Sequence, residues 1–252
     1  MRYVVNPFRK LFILSLLIFC SCASITEEIY LNEDGSGEYL VYTDIIGSSR
    51  AMMAGMMNSL YPNASEDSIN QIVDTKIWDQ FPTQIDSIMD ISSQIPDSIK
   101  NNPEKRRYLD KMEMYMKGGK KEGFINSGMR YQFSNVEELE KLQDFLNENQ
   151  SATNQGMQMD VPNVKVNYSF DGSSFSRRAN INEMMEMSDS TMMVLGSLLE
   201  GSKSKLIIHL PAKVKKASKN QLVKKSGKDV LYEYDLISVI SGKQSTDIDI
   251  KF

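Results

Sequence analysis

The 252-residue chain predicts an α+β fold in which an antiparallel sheet is built from hairpins and joined by several helices. Period-two alternation flanks glycine-bearing turns near residues 32–37, 118–121 and 171–172. Apolar residues recur at helical spacing around 52–60 and 136–146, and strands and helices come in runs instead of strict alternation. Hydrophobic content of 41%, with no second long apolar segment after Phe19, fits a soluble body of about 230 residues that can bury its own core.

The first hairpin joins Ile25–Leu31 to Glu38–Ile46, which are rich in β-branched and aromatic residues, through the turn Asn32-Glu33-Asp34-Gly35-Ser36-Gly37. A mainly helical insertion over 48–109 follows. Met52, Met53, Met56, Met57 and Leu60 share one face of its first helix, and a second helix runs from Glu66 to about Trp78 after the Pro62-Asn63 break. Asp86-Ser87-Ile88 and Asp97-Ser98-Ile99 each read as a helical turn with Asp or Ser as its cap.

From Lys111 the period changes to two. Met112, Met114 and Met116 run into Gly118-Gly119-Lys120-Lys121, and Ile125, Ser127, Met129, Tyr131 and Phe133 return on one face, a second hairpin. Ser134-Asn135-Val136-Glu137 supplies a capping box, and Val136, Leu139, Leu142, Phe145 and Leu146 the stripe of a helix ending near Asn147. Residues 147–163 read as a polar loop. Val164–Phe170 then turns at Asp171-Gly172 into a third hairpin, Asn182–Leu199 is a Met-rich helix, and Lys205–Lys216, Val230–Ser238 and Thr246–Phe252 close the chain as strands. Residues 22–252 are taken as one domain.

The start of the chain carries its clearest signal. Arg2, Arg9 and Lys10 precede an apolar run from Leu11 to Phe19 and then Cys20-Ser21-Cys22, the anatomy of a secretory signal too short to span a bilayer. Ser21 before Cys22 resembles the lipobox of bacterial lipoproteins, which implies a signal peptide over 1–21 and acylation (palmitate) of Cys22. Ordinary secretion with cleavage near Ala23 is the alternative. Removing residues 1–21 leaves one cysteine, so no internal disulfide forms, and 26 basic residues against 33 acids, a formal −7 (26 − 33). That balance argues against nucleic acid as a partner.

No cofactor motif and no metal-ligand spacing is present, and the only histidine, His209, alternates with apolar residues in a strand, where a structural role outweighs a catalytic one. Glu27-Glu28 and Glu137-Glu138 read as solvated surface, because strand neighbours face opposite ways and first-turn acids favour the helix dipole. The 17 methionines either fill core or, at Met52, Met53, Met56 and Met57, line an adaptable apolar groove. A thioether copper site is a third reading of them, and adjacent Met pairs fit it poorly. Alternating Ile248, Ile250 and Phe252 are the last strand of a soluble sheet, since a membrane barrel needs many longer strands.

Ile29-Tyr30-Leu31-Asn32-Glu33-Asp34-Gly35-Ser36-Gly37 and Val73-Asp74-Thr75-Lys76-Ile77 resemble uncharacterised cell-envelope lipoproteins of Bacteroidota. Leu206-Ile207-Ile208-His209-Leu210-Pro211, the charged hairpin after it and Tyr232-Glu233-Tyr234-Asp235-Leu236 are similar to the close of LppM-type lipoprotein domains, a group associated with glycolipid binding. The first resemblance makes Ser68, Ser87, Ser98 and Ser190, each after an aspartate, candidates for periplasmic O-glycosylation. Ala23 and Ser24 lack the aspartate tied to inner-membrane retention, which implies the periplasmic face of the outer membrane. The expected function is a non-catalytic, membrane-anchored periplasmic lipoprotein with a lipid or glycolipid ligand. A scaffold for an envelope protein partner and an unrecognised hydrolase are the alternatives.

Overall fold

The computed structural model describes residues 24–61, 63–79, 81–90, 95–153, 164–181 and 201–252. Strands β1 (Ile25–Leu31) and β2 (Gly37–Asp44) form the expected first hairpin. In its turn Asp34 accepts from the Ser36 N–H at 3.0 Å and its hydroxyl at 2.7 Å, while Gly35 takes φ +82°, a left-handed conformation that suits glycine. Helix α1 (Ile45–Leu60) starts earlier than Ser48, because Asp44 both ends β2 and caps the helix. Its carboxylate accepts from the Ile46 N–H at 3.1 Å and from the Ile125 N–H of a neighbouring strand at 3.2 Å. Helix α2 (Glu66–Trp78) is capped by Ser65.

The helical insertion is interrupted. Asp86-Ser87-Ile88 lies in strand β3 (Ile85–Met89), not in a helical turn, because the free edge of the next hairpin offers its backbone a full ladder. A short local cap signal loses to that pairing. Asp97-Ser98-Ile99 does open a helix, α3 (Asp97–Lys100), and α4 (Pro103–Leu109) follows with Asn102 as its cap. Strands β4 (Met112–Gly119) and β5 (Phe124–Phe133) form the second hairpin.

Helix α5 (Val136–Thr153) runs into the stretch expected to be loop, since Glu, Asn and Gln continue a helix and no Gly or Pro stops it before Gly156. Its cap is Asn135, one residue on from the expected Ser134, with Oδ1 accepting from the Glu138 N–H at 2.9 Å. Glu138 reaches back to the Ser134 N–H at 2.7 Å. The remainder of the expected loop, 154–163, and the expected Met-rich helix over 182–199 lie outside the described residues.

Strands β6 (Val164–Phe170) and β7 (Ser174–Ile181) make the third hairpin. The expected strand over 205–216 divides into β8 (Lys203–His209) and the two-residue β9 (Lys216–Ala217), separated by Pro211, which has no N–H for a ladder. After β10 (Leu222–Ser226), β11 (Asp229–Asp235) stops short of Ser238 because Asp235 caps helix α6 (Leu236–Ile240), accepting from the Ser238 N–H at 2.8 Å. Strand β12 (Ile248–Lys251) comes last.

The fold is α+β with two sheets, one ordered β10-β11-β8-β1-β2-β5-β4-β3 and one β6-β7-β12-β9. One pairing departs from the expected antiparallel pattern. β1 and β8 run parallel, from Ile25 against Ser204 to Tyr30 against His209, and the chain between β2 and β8 supplies the long crossover that parallel strands need. Inner faces of the sheets meet with α5 in one core that includes Ile29, Tyr131, Leu142, Phe175, Ile208 and Ile250. A second cluster, Ile46, Ile69, Val73, Ile77 and Ile125, packs α1 and α2 against the β5 end.

Candidate functional site

The outer face of the eight-stranded sheet gathers polar and aromatic side chains in three cross-strand rows. Asp229, His209, Tyr30, Glu38 and Gln132 make the first, and Leu231, Ile207, Glu28, Leu40, Arg130 and Glu113 the second. Glu233, Lys205, Thr26, Tyr42, Gly128, Tyr115 and Ile88 make the third. Period-two alternation puts each of these on the face away from the core. The parallel β1–β8 pair is what sets His209 beside Tyr30.

Glu28 lies at the centre. Its Oε1 accepts from the Tyr42 hydroxyl at 2.5 Å and its Oε2 from the Tyr30 hydroxyl at 2.8 Å, with its side chain 13% exposed. The His209 Nε2 is 3.8 Å from the same Oε2, outside hydrogen-bond range but within an ion pair, and Nδ1 is 2.9 Å from Asp229 Oδ1. The imidazole stacks on Tyr30, ring centroids 4.0 Å apart. Gly128 gives Tyr42 its room: a Cβ there would come within 2.6 Å of the Tyr42 Cβ.

Charge follows from this geometry. Burial raises the Glu28 carboxyl, but His209, Tyr42 and Tyr30 together outweigh it and hold the group below the ordinary range. Glu28 raises the imidazole of His209 above its ordinary value against the opposing effect of burial, and Asp229 adds to the rise. Burial pushes the Tyr115 phenol up to about 12, with the Glu28 charge assisting. Near neutral pH the centre is thus an ionised carboxylate flanked by neutral phenols and a proton-attracting imidazole. Towards β4, Arg130 pairs with Glu113 at 3.0 Å through Nε and lies 3.7 Å from Glu38.

Both oxygens of Glu28 are engaged by phenols, and no serine, threonine or cysteine is bonded to His209 among the described residues. Among those residues, no group of three or more His, Cys, Asp or Glu side chains is placed to hold a metal ion. The surface offers aromatic faces, Leu40 and Ile207 beside a fixed negative charge, and hydrogen-bonding groups in register.

Glu27 departs from the solvated surface expected of it. It points inward, its side chain 21% exposed, and its Oε2 lies 3.7 Å from Nη2 of Arg177 and accepts from the Tyr39 hydroxyl at 3.2 Å. Arg177 is itself buried and donates through Nη1 to the Thr246 hydroxyl at 2.6 Å. Glu28 likewise is a half-buried hub, not a solvated acid, because flanking tyrosines cover it. Glu138 keeps its first-turn position and is also tied to Lys111 at 2.5 Å and to the Tyr131 hydroxyl at 3.1 Å.

The described residues singled out from the sequence lie in separate parts of the fold, apart from Met53 and Met57. Cys22 lies outside the described residues, as does Ser190, and Ser24 is the first described residue, its carbonyl accepting from the Thr43 hydroxyl at 2.9 Å. Met53 and Met57 pack on the second core cluster, whereas Met56 is 59% exposed, and the side chain of Met52 is outside the description. Ser68 sits in the first turn of α2, with its N–H on the Ser65 hydroxyl, Ser87 on edge strand β3 and Ser98 on α3; all three are exposed. Sequence reasoning missed Glu28, Tyr30, Tyr42, Tyr115 and Asp229 as a group. Alternation puts Glu28 and Tyr30 on one face, but nothing local pairs them with β8.

No protein-family model and no curated protein matches the chain. Among solved structures it is similar to the folded domain of LppM from Mycobacterium tuberculosis, at 12% identity and a TM-score of 0.40, over 92% of this chain and 89% of that one. A likeness that distant carries no argument about activity or ligand.

Proposed function

We propose that this chain is a lipid-anchored protein of the cell envelope, acylated on Cys22, whose folded body binds a lipid or glycolipid headgroup without catalysing a reaction. The observation that carries the anchor is the basic head, the apolar run from Leu11 to Phe19, and Ser21 before Cys22. The binding surface is the outer sheet face around Glu28, where Tyr30, His209, Tyr42 and Tyr115 offer flat apolar faces beside a carboxylate, complementary to sugar rings with apolar faces and hydroxyl rims. β1 begins at Ile25, so two residues, Ala23 and Ser24, separate Cys22 from the start of a central strand of that sheet and keep the face near the bilayer. Its location is the periplasmic face of the outer membrane, and the exposed Ser68, Ser87 and Ser98 are acceptors for O-linked glycans.

Metabolic labelling with a fatty acid tests the anchor: label enters the wild type and is absent from Cys22→Ser, and equal labelling of both refutes acylation there. Native mass spectrometry after gentle extraction tests the ligand, and loss of bound lipid in Glu28→Gln and Tyr42→Phe locates it. A body that carries no lipid where a control carrier retains its own refutes the lipid reading. Intact mass from the native host, equal to peptide plus lipid, discards glycosylation.

Edge strand β3 favours a second reading, a scaffold for an envelope protein. Ile88 on it is 63% exposed, and an edge that no further strand covers among the described residues, with an apolar side chain, accepts an added strand. Crosslinking in cells that returns one stoichiometric partner through β3 supports it.

A further inference from the structure

Between Leu210 and Lys228 the chain has seven lysines and no acid. The other 22 basic residues face 33 acids, so a protein of formal charge −4 is +7 in this segment and −11 (22 − 33) elsewhere. All seven lysines are exposed. They are held on ordered backbone: the Leu210 N–H donates to the Lys228 carbonyl at 3.0 Å, Val214 to Gly227 at 2.9 Å and Lys215 to Lys251 at 2.8 Å, and β9 pairs with β12.

Elsewhere several basic side chains pair with acids, as Arg50 does with Asp74 and Lys111 with Glu138, and the surrounding surface is acidic on balance. Here none of the seven pairs with an Asp or Glu side chain among the described residues. Lys215 donates to the main-chain oxygen of the last residue, Phe252, at 3.1 Å, and Lys225 to the Lys215 carbonyl at 3.0 Å. The acids nearest through strand pairing, Asp229 and Asp249, are committed to His209 and Arg178. Lys216 even stands directly opposite Lys251 across β9 and β12, where like charges oppose folding. Lysines on an edge strand guard against unwanted strand pairing, which accounts for Lys224 and Lys225 on β10 but not for the strap that precedes it.

We propose that this strap and hairpin dock on a surface of anionic phospholipid headgroups. Lysines are compact point charges without the bidentate fork that selects a single phosphate, and here they are spread over several segments. Such a patch matches charge distributed over a membrane surface. No aromatic residue occurs between Leu210 and Lys228, so the contact is electrostatic and not inserted. With Cys22 acylated, a premise taken from the proposed function, the same bilayer is within reach: β10 lies three strands from β1, roughly 15 Å across the sheet and 20 Å along it. The two attachments together fix how the domain lies on the membrane.

The test uses full-length protein with vesicles of pure phosphatidylcholine and vesicles containing phosphatidylglycerol. Flotation is read alongside amine-reactive labelling mapped lysine by lysine, with Lys76, Lys121 and Lys141 as controls. Flotation on neutral vesicles reports the anchor, and the labelling contrast reports the patch. Expected is a fall of at least fivefold in labelling of the seven lysines on anionic vesicles only, reversed by about 0.5 M salt, where charge screening is short-ranged. Flotation on anionic vesicles alone upholds the patch and removes the anchor. Equal labelling on both vesicle types, or flotation on neither, overturns the proposal and makes an acidic protein the partner to seek. Lys216→Glu separates binding from folding: it places opposite charges across β9 and β12, so the thermal midpoint holds or rises while protection on anionic vesicles drops severalfold.

Discussion

The imidazole of His209 lies flat against the ring of Tyr30, its plane 10° from parallel, and both side chains reach the same carboxylate, Glu28. Two strands separated by more than 170 residues are thereby joined through one half-buried acid. Stability at this face depends on these charges, and so, under the proposed function, does retention of a ligand.

The His209–Glu28 pair makes stability pH-dependent in two directions. His209 has its folded value raised above the ordinary 6.5, so its contribution is full below 6.5 and is lost as pH climbs through the raised value. Glu28 is lowered from 4.5, so its contribution is present above 4.5 and lost as pH falls through the lowered value. Urea denaturation of wild type and His209→Gln from pH 4 to 9 should show the largest difference between about 4.5 and 6.5, about 1 kcal/mol or less, shrinking at higher pH. A difference independent of pH contradicts the pairing.

Glu138 ties the start of α5 to β4. Burial raises its carboxyl, but Lys111, Ser134 and Tyr131 outweigh that and hold it at about 2. Its support is present above the ordinary 4.5 and lost as pH falls through 2. Glu138→Ala is expected to cost about 1–2 kcal/mol at pH 7, through the capping bonds and the Lys111 pair. Chemical denaturation should show that cost fading toward pH 2.

Removing half of the buried Glu27–Arg177 pair strands the other charge. Arg177→Met should destabilise by about 3–5 kcal/mol, and adding Glu27→Gln should recover a substantial part of it. A double-mutant cycle measured by equilibrium unfolding checks this, and strict additivity would show that the two charges do not interact.

Gly128→Ala probes the packing of the candidate site. The new Cβ would sit 2.1 Å from the Val41 carbonyl oxygen as well as against Tyr42, so strands β2 and β5 must separate. A loss of about 1–3 kcal/mol is expected, together with weaker lipid retention as Tyr42 shifts from Glu28. Unchanged lipid retention in a folded Gly128→Ala protein would detach Tyr42 from binding.

Much of the fold was legible where the governing physics is local. The three hairpins, α2 after the Pro62-Asn63 break and the amphipathic core of α5 all follow from turn chemistry, chain breaks and periodicity within about 20 residues. Misreadings came where distant partners decided the outcome. Asp86-Ser87-Ile88 is strand because β4 lies beside it, and Asp235 ends β11 because a cap for α6 was available in place of further ladder. At the candidate site, His209 was placed correctly in a strand, yet its neighbours Tyr30 and Glu28 come from the opposite end of the chain.

Pattern along the chain was enough for the α+β class, for the alternation that puts Glu27 and Glu28 on opposite faces, and for the run of lysines after Leu210. Packing between distant segments set β1 parallel to β8, turned Glu27 to a buried arginine while Glu28 collects two phenols and an imidazole, and brought Lys216 opposite Lys251. Periodicity and caps are set by neighbours along the chain, whereas strand order is set by which faces bury most apolar surface together, a property of the whole molecule.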